Sequence, residues 1–257
     1  MRSAPVSFAV AAEAYDEFMG SWSRRLSPQL AGIAHIRAGF RALDVGCGPG
    51  ALTAELASRL GPAAVTAVDP SESFVAAARA RNPGVDVRQA SAEHLPFPDG
   101  TFDAALAQLV VHFMVDPVAG LAEMARVTSP GGFVAACVWD YAQGRGPLGP
   151  FWLAARELDP DVEDESRLAG TRAGHLAELF EAGGLHAVEQ TALSVSRDYP
   201  DFEAWWEPFT RGVGPAGFYL ARLEAHQQVE LRERCRSRLP AGPFILTAWA
   251  WAARGVV

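Results

Sequence analysis

Apolar and polar positions along the 257-residue chain change their period several times, and each change marks an element boundary. Helical spacing opens the chain, over residues 11–18 and again over 27–38, until Gly39 stops it. Residues 42–45 read as a short buried strand, and glycines separate it from a helix over 51–60 capped by Gly61. A second strand covers 65–68, and Pro70 and Ser71 open a helix that runs to about Arg81. Residues 85–88 and 102–107 read as strands three and four. A helix over 117–127 follows, and Gly131 and Gly132 turn the chain into a fifth strand over 133–139.

Strands alternating with helices at this spacing predict a parallel sheet with right-handed crossovers, an α/β fold. After Trp139 the pattern changes. Gly144, Gly146, Pro147, Gly149 and Pro150 predict a loop. A helix over 173–182 leads to a strand over 185–195. Residues 201–239 read as helical and aromatic-rich, and 244–253 as a closing strand. The expected organisation is one domain over 1–257. A cofactor-binding core spans 39–140, and the C-terminal half, 141–257, carries a helical substrate cap at about 196–242.

Composition narrows the function classes. A 49% hydrophobic and 20% charged chain is an ordinary ordered globular protein. The net charge of -8 disfavours a nucleic-acid partner. The richest basic run, Arg232 to Arg238, also holds Glu233 and reads as a solvated helix face. No run approaches the ~18 apolar residues of a membrane span, so no membrane partner is expected. Apolar residues 8–12 are cut short by Glu13 and Asp16, too soon for a signal peptide. Three cysteines, Cys47, Cys137 and Cys235, are odd in number and far apart. They form neither a disulfide framework nor a metal motif, which predicts a cytoplasmic protein. The six histidines are scattered without ligand spacing, so no metal is expected.

The chemistry-bearing segment is Leu43-Asp44-Val45-Gly46-Cys47-Gly48-Pro49-Gly50, at the carboxyl end of the first strand. Glycines there let backbone lie against a ligand, and the following helix aims free N–H groups at it. Gly46, Gly48 and Ala51 also fit the dinucleotide pattern, and Asp69 ends the second strand, where a carboxylate meets ribose hydroxyls. Loop and acid together indicate a nucleoside cofactor and leave NAD(P) and S-adenosylmethionine both open.

Four motifs in order carry a resemblance. Residues 43–53 resemble the first motif of class I S-adenosylmethionine-dependent methyltransferases, in their small-molecule (UbiE-like) branch. Val68-Asp69-Pro70-Ser71 resembles the end of their second strand. Residues 91–103 are similar to their stretch before strand four, and residues 126–132 to their turn into strand five. The resemblance implies a doubly wound, Rossmann-like, seven-stranded sheet in a three-layer sandwich, mostly parallel with the last strand antiparallel. It implies transfer of a methyl group from S-adenosylmethionine to a small molecule, leaving S-adenosylhomocysteine. An oxidoreductase and a non-catalytic S-adenosylmethionine-binding protein are the alternatives.

By resemblance, Gly46, Cys47, Gly48 and Gly50 face the methionine and ribose parts, and Asp69 the ribose hydroxyls, with Pro70 and Ser71 beside them. Ala92 and Glu93 lie by the adenine, and Gln108 near the methionine amino group. Ser91 stands where the family usually has Asp, so the adenine would lose a charge-assisted hydrogen bond. Residues 1–38 resemble a helical lid, with Tyr15 over the sulfonium and Arg24 on the methionine carboxylate. Because the α/β signals are complete from Ala42 onward, a chain lacking residues 1–25 is expected to remain folded.

Methyl transfer needs an aligned nucleophile and exclusion of water more than it needs a base. His112, just after strand four, is the candidate base, with a packing histidine as the alternative. Trp139, Tyr141, Trp152, Trp206 and Tyr219 are candidate substrate-binding residues, and their density suits an apolar or aromatic acceptor.

Overall fold

The structure, a computed structural model, describes residues 16–257; Tyr15 lies outside them. Seven strands form one sheet in the order β3-β2-β1-β4-β5-β7-β6. They are β1 (Ala42–Val45), β2 (Val65–Asp69), β3 (Asp86–Gln89), β4 (Phe102–Gln108), β5 (Thr128–Trp139), β6 (His186–Tyr199) and β7 (Phe244–Val256). The first five pair in parallel, and β7 runs antiparallel between β5 and β6. The expected doubly wound sheet with an antiparallel last strand is therefore the architecture found.

Both sheet faces are buried, and the side-chain period of two divides them. Ala104, Leu106, Ala135, Cys137 and Trp139 face one core. Their strand neighbours Ala105, Ala107, Val134, Ala136 and Val138 face the other. The helices α1 (Ser21–Ile33) and α2 (Ala51–Leu60) cover the first face, and α4 (Pro117–Val127) the second, after α3 (Glu72–Arg81) at the β2–β3 edge. Asp116 caps α4, accepting from the Ala119 N–H, and Pro117 occupies its first turn.

Four local expectations are corrected. Residues 16–20 form one π-helical turn that runs directly into α1, which starts at Ser21 and contains Pro28. The Ser27-Pro28 pair looks like a helix start in sequence, yet it lies mid-helix, where the Ser27 hydroxyl bonds back to the Ser23 carbonyl at 2.8 Å. Gly149 and Pro150 open a helix, α5 (Gly149–Leu158), because proline is as much a first-turn residue as a loop former. The helical stretch beyond Asp201 is broken into α7 (Phe202–Trp206), α8 (Gly214–Arg222) and α9 (Ala225–Arg236), preceded in the chain by α6 (His175–Ala182). Gly212 and Gly214, both at positive φ, make the break before α8, and the extended Leu223 and Glu224 make the one after it.

The N-terminal segment is core as well as cover. Phe18, Met19, Trp22, Leu26 and Leu30 are buried, and the α1 side chains Arg25 and Gln29 donate to the Ser196 and Ser194 carbonyls of β6. The expectation that residues 1–25 can be removed without unfolding therefore conflicts with the packing.

The basic face of α9 is ion-paired. Glu203 accepts from Arg232 and Arg236, both at 2.7 Å, and Glu157 pairs with Arg234 and Arg238. None of the described helices is long and apolar enough to cross a membrane.

Candidate active site

Strand order reverses between β1 and β4, the switch point at which an open α/β sheet leaves a crevice beyond the carboxyl ends of its strands. An open cavity of about 400 Å³ lies there, lined by Asp16, Gly20, Ser23, Asp44, Gly46, Cys47, Gly48 and Gln108. Gly46 has φ 69°, and a Cβ on it would come within 2.5 Å of the Val110 side chain. That close approach of the loop to the end of β4 is why glycine is required at this position. Gly50 does not line the cavity; with φ 95° it caps α2 and turns the helix N-terminus towards the loop.

Carboxylates frame this loop. Asp69 accepts from the Gly48 N–H through one oxygen and the Ser71 N–H through the other, each at 2.9 Å. Burial nevertheless holds its carboxyl above the ordinary range. Ser71 in turn caps α3, with Pro70 as the residue that carries the chain into it. Asp44 is fully buried. One oxygen accepts from the Thr53 hydroxyl at 2.6 Å, and the other has no partner. Burial is the main cause that lifts its carboxyl to about 7, with Asp69 adding to it. Across the cavity, Gln108 donates to the Ser23 carbonyl at 3.1 Å and its own carbonyl oxygen is unpaired. Two orphaned acceptors thus face one crevice, an arrangement that calls for a cationic donor. An α-ammonium beside a ribose fits it, so the residues present suit an amino-acid nucleoside.

Asp44 was missed as a site residue in the sequence, where it reads only as the acid before the glycines. A lone acid inside an otherwise apolar strand was the available signal.

Other expected cofactor residues stand further out. Arg24 pairs with Asp16 at 2.7 Å, and Asp16 also meets Arg81 at 3.5 Å. Ala92 is buried in the core beside α4, and Ser91 is half-buried at the end of the β3 segment. Glu93 turns to the start of α4, accepting from the Val115 N–H at 2.9 Å and the Asp116 N–H at 3.4 Å. The structure does not bring its carboxylate into the crevice.

A second cleft, open to solvent and almost wholly apolar, lies beside the first. Phe18, Met19, Leu109, His112, Trp139, Tyr141, Glu165 and Val213 line it. The two cavities share a wall. Gly20 faces the first and Met19 the second, while Gln108 faces the first and Leu109 the second. Leu109 holds φ 62°, in the left-handed region that a branched residue adopts at a cost. That strain sits at the junction of the two cavities.

Of the expected substrate residues, Trp139 and Tyr141 line this second cavity, with His112 beside them. His112 is buried, its Nδ1 has no partner, and burial lowers its pKa to about 3, so it is a neutral imidazole. Trp152, Trp206 and Tyr219 stand behind the wall. Trp206 stacks with Phe202 and Phe151, and Tyr219 packs on Trp152. Trp152 donates its indole N–H at 2.9 Å to Glu165, a buried acid the sequence reading overlooked. Glu165 falls in a charged loop, Asp159 to Arg167, where nothing local distinguishes it from its solvated neighbours.

The comparisons with known proteins agree with this geometry. Residues 43–136 match the family model of the methyltransferase domain. The chain is 35% identical over 179 residues to a ubiquinone/menaquinone biosynthesis C-methyltransferase of Burkholderia orbicola, covering 63% of this chain and 73% of that one. It is 37% identical over 187 residues to a phosphatidylethanolamine N-methyltransferase of Cereibacter sphaeroides, covering 70% and 86%. Among solved structures, the YcgJ protein of Bacillus subtilis superposes with a TM-score of 0.58 at 20% identity, covering 90% of this chain and 97% of that one. Phosphoethanolamine N-methyltransferase 2 of Haemonchus contortus, in complex with S-adenosyl-L-methionine, gives 0.58 at 19% identity, covering 95% and 56%.

Proposed function

We propose the finer assignments below for a chain that belongs to the class I S-adenosylmethionine-dependent methyltransferases and transfers methyl groups to small molecules. The acceptor is apolar or aromatic, and it binds in the second cavity. The observation that carries this reading is the wall shared by a polar crevice and an apolar pocket, which puts the two reactants side by side. S-Adenosylmethionine, when bound, supplies a methyl carbon already activated by a positive sulfur. The chain's part is to hold the nucleophile in line and exclude water, and orientation alone is worth ~7–11 kcal/mol.

Asp44 and Gln108 hold the α-ammonium through their orphaned oxygens. Asp69 holds the ribose hydroxyls, and the loop backbone from Gly46 to Gly48 lies along the methionine. The carboxylate shares Arg24 with Asp16, which makes residues 16–25 the side wall and cover of the site. Ser91, Ala92 and Glu93 form the outer edge by the adenine, with Glu93 acting through the start of α4. Removing the Asp69 carboxylate by Asp69→Ala costs the ribose contact and loosens the loop. A loss of ~1.5–3 kcal/mol in S-adenosylmethionine binding is expected by calorimetry, and unchanged affinity in a folded variant contradicts the assignment.

His112 assists as a neutral group that hydrogen-bonds the acceptor. A base with a pKa of about 3 is a weak proton acceptor near neutrality. His112→Phe is therefore expected to lower turnover roughly tenfold, the worth of one neutral hydrogen bond, with cofactor affinity kept. A loss on the order of 10²–10⁴-fold, the range of general-base catalysis, identifies it as the base instead. Three buried free thiols suit a reducing, cytoplasmic setting. S-Adenosylhomocysteine release across a metabolite panel tests the acceptor class: it is expected with apolar ring compounds. Release confined to small hydrophilic amines overturns the reading.

A further inference from the structure

The apolar pocket holds one feature that an apolar acceptor does not explain. Glu165, 3% exposed, is in its lining, on a single 3-10 turn (Glu165–Arg167). No cation pairs with it among the described residues. Arg167, two residues on, is solvent-exposed, and Arg156 and Arg172 are taken by Asp164 and Glu178. The groups that hydrogen-bond its carboxyl are uncharged, the Trp152 indole and, more weakly, Tyr141. Burial, with Asp164 adding to it, lifts the Glu165 carboxyl to about 7. A buried acid kept without a counter-ion costs stability, so a purely structural role is poorly served by glutamate here.

Two other polar groups of the same wall lack partners. The Trp139 indole N–H has no acceptor and His112 Nδ1 has no partner, and both side chains line the cavity. A hydroxyl complements this set with a single atom. A hydroxyl donates one hydrogen bond to the carboxylate and accepts another from the indole N–H. An ammonium has no lone pair for the indole, and a carbonyl has no proton for the carboxylate.

We propose that Glu165 sets acceptor specificity by receiving a hydrogen bond from a hydroxyl carried on the acceptor's apolar ring, with Trp139 donating to that hydroxyl's oxygen. The inference rests on the reading that the acceptor occupies this pocket. A site built to hydrogen-bond a hydroxyl rejects the isostere lacking it, because its buried polar groups are then left unpaired.

The test compares 2-naphthol with 2-methylnaphthalene, the same ring frame with hydroxyl exchanged for methyl, on the full chain saturated with S-adenosylhomocysteine. Wild type is expected to bind 2-naphthol at least tenfold more tightly. Glu165→Gln keeps the carboxyl's shape and an acceptor for Trp152. It is expected to bind 2-methylnaphthalene and S-adenosylhomocysteine as wild type does while the naphthol preference shrinks about tenfold. Equal binding of the two probes by wild type, or a preference that survives in Glu165→Gln, overturns the role of Glu165 and leaves the pocket assignment standing. Failure of both probes to bind overturns the pocket assignment and the Glu165 role with it.

Discussion

Asp44→Asn is expected to stabilise the ligand-free protein at pH 8 and at the same time weaken its hold on S-adenosylmethionine. In the folded chain the Asp44 carboxyl is raised from 3.8 to about 7, chiefly by burial, so the folded state holds its proton more tightly than the unfolded state does. The favourable contribution of the protonated group is complete below the unfolded value and is lost as pH rises through the folded one. Between those limits stability falls, and above about 7 the ionised carboxylate sits buried with no cation beside it. A shift of this size corresponds to a few kcal/mol, at about 1.4 kcal/mol per pH unit. Asparagine keeps an acceptor for Thr53 and carries no charge, so the fall in stability from pH 4 to pH 8 is expected to shrink. Binding moves the other way. Without an ionised partner for the α-ammonium, affinity is expected to drop about 10–150-fold, the equivalent of ~1.5–3 kcal/mol. Thermal unfolding at several pH values and calorimetry with the cofactor read the two effects separately. Wild-type affinity in the variant would remove Asp44 from the ammonium site. Unchanged pH dependence of unfolding would mean that its carboxyl is not raised.

The second large effect is structural. Trp22 is 2% exposed and packs edge-on against Trp139, with ring centroids 6.3 Å apart. Trp139 belongs to β5 and lines the apolar pocket, so Trp22 supports that pocket's wall from behind. Trp22→Ala is expected to cost ~3–5 kcal/mol, as large-to-small changes of buried aromatics do. For a chain of this size that is a fall in Tm of roughly 6–20 °C. Trp22→Phe should recover most of it. Truncation of residues 1–25 removes Phe18 and Met19 together with Trp22, and is expected to leave an unfolded or aggregating product. Cooperative unfolding of that truncated chain near the wild-type temperature would show that residues 1–25 are a detachable cover after all.

The candidate cofactor half of the site was legible in the sequence because its parts are local. Asp69 ends a strand, Gly46, Cys47, Gly48 and Ser71 each follow one by a short spacing, and a parallel sheet carries every strand's carboxyl end to the same edge. Gln108, the last residue of β4, was placed by resemblance. Ala92 and Glu93 were placed by resemblance alone. The side-chain bond of Glu93 to the α4 N-terminus depends on a helix more than twenty residues away, which no local pattern announces.

The acceptor half was legible only as an excess of aromatic residues. Which of them face a cavity depends on how the helices between β6 and β7 fold back over the sheet. Trp139 and Tyr141 face the pocket, whereas Trp206 stacks within the cap's own core. The sequence by itself determined the parallel part of the sheet, its crossovers, the glycine loop and a nucleoside as the kind of cofactor, since these follow from hydrophobic period and strand-end chemistry. Tertiary structure alone decided which polar atoms are left without partners. The unpaired oxygens of Asp44 and Gln108 become orphans, and Glu165 becomes a buried acid, only when distant segments close over them and remove water. Desolvation is a property of the whole fold, and it is what turns an ordinary aspartate, glutamine or glutamate into a candidate binding group.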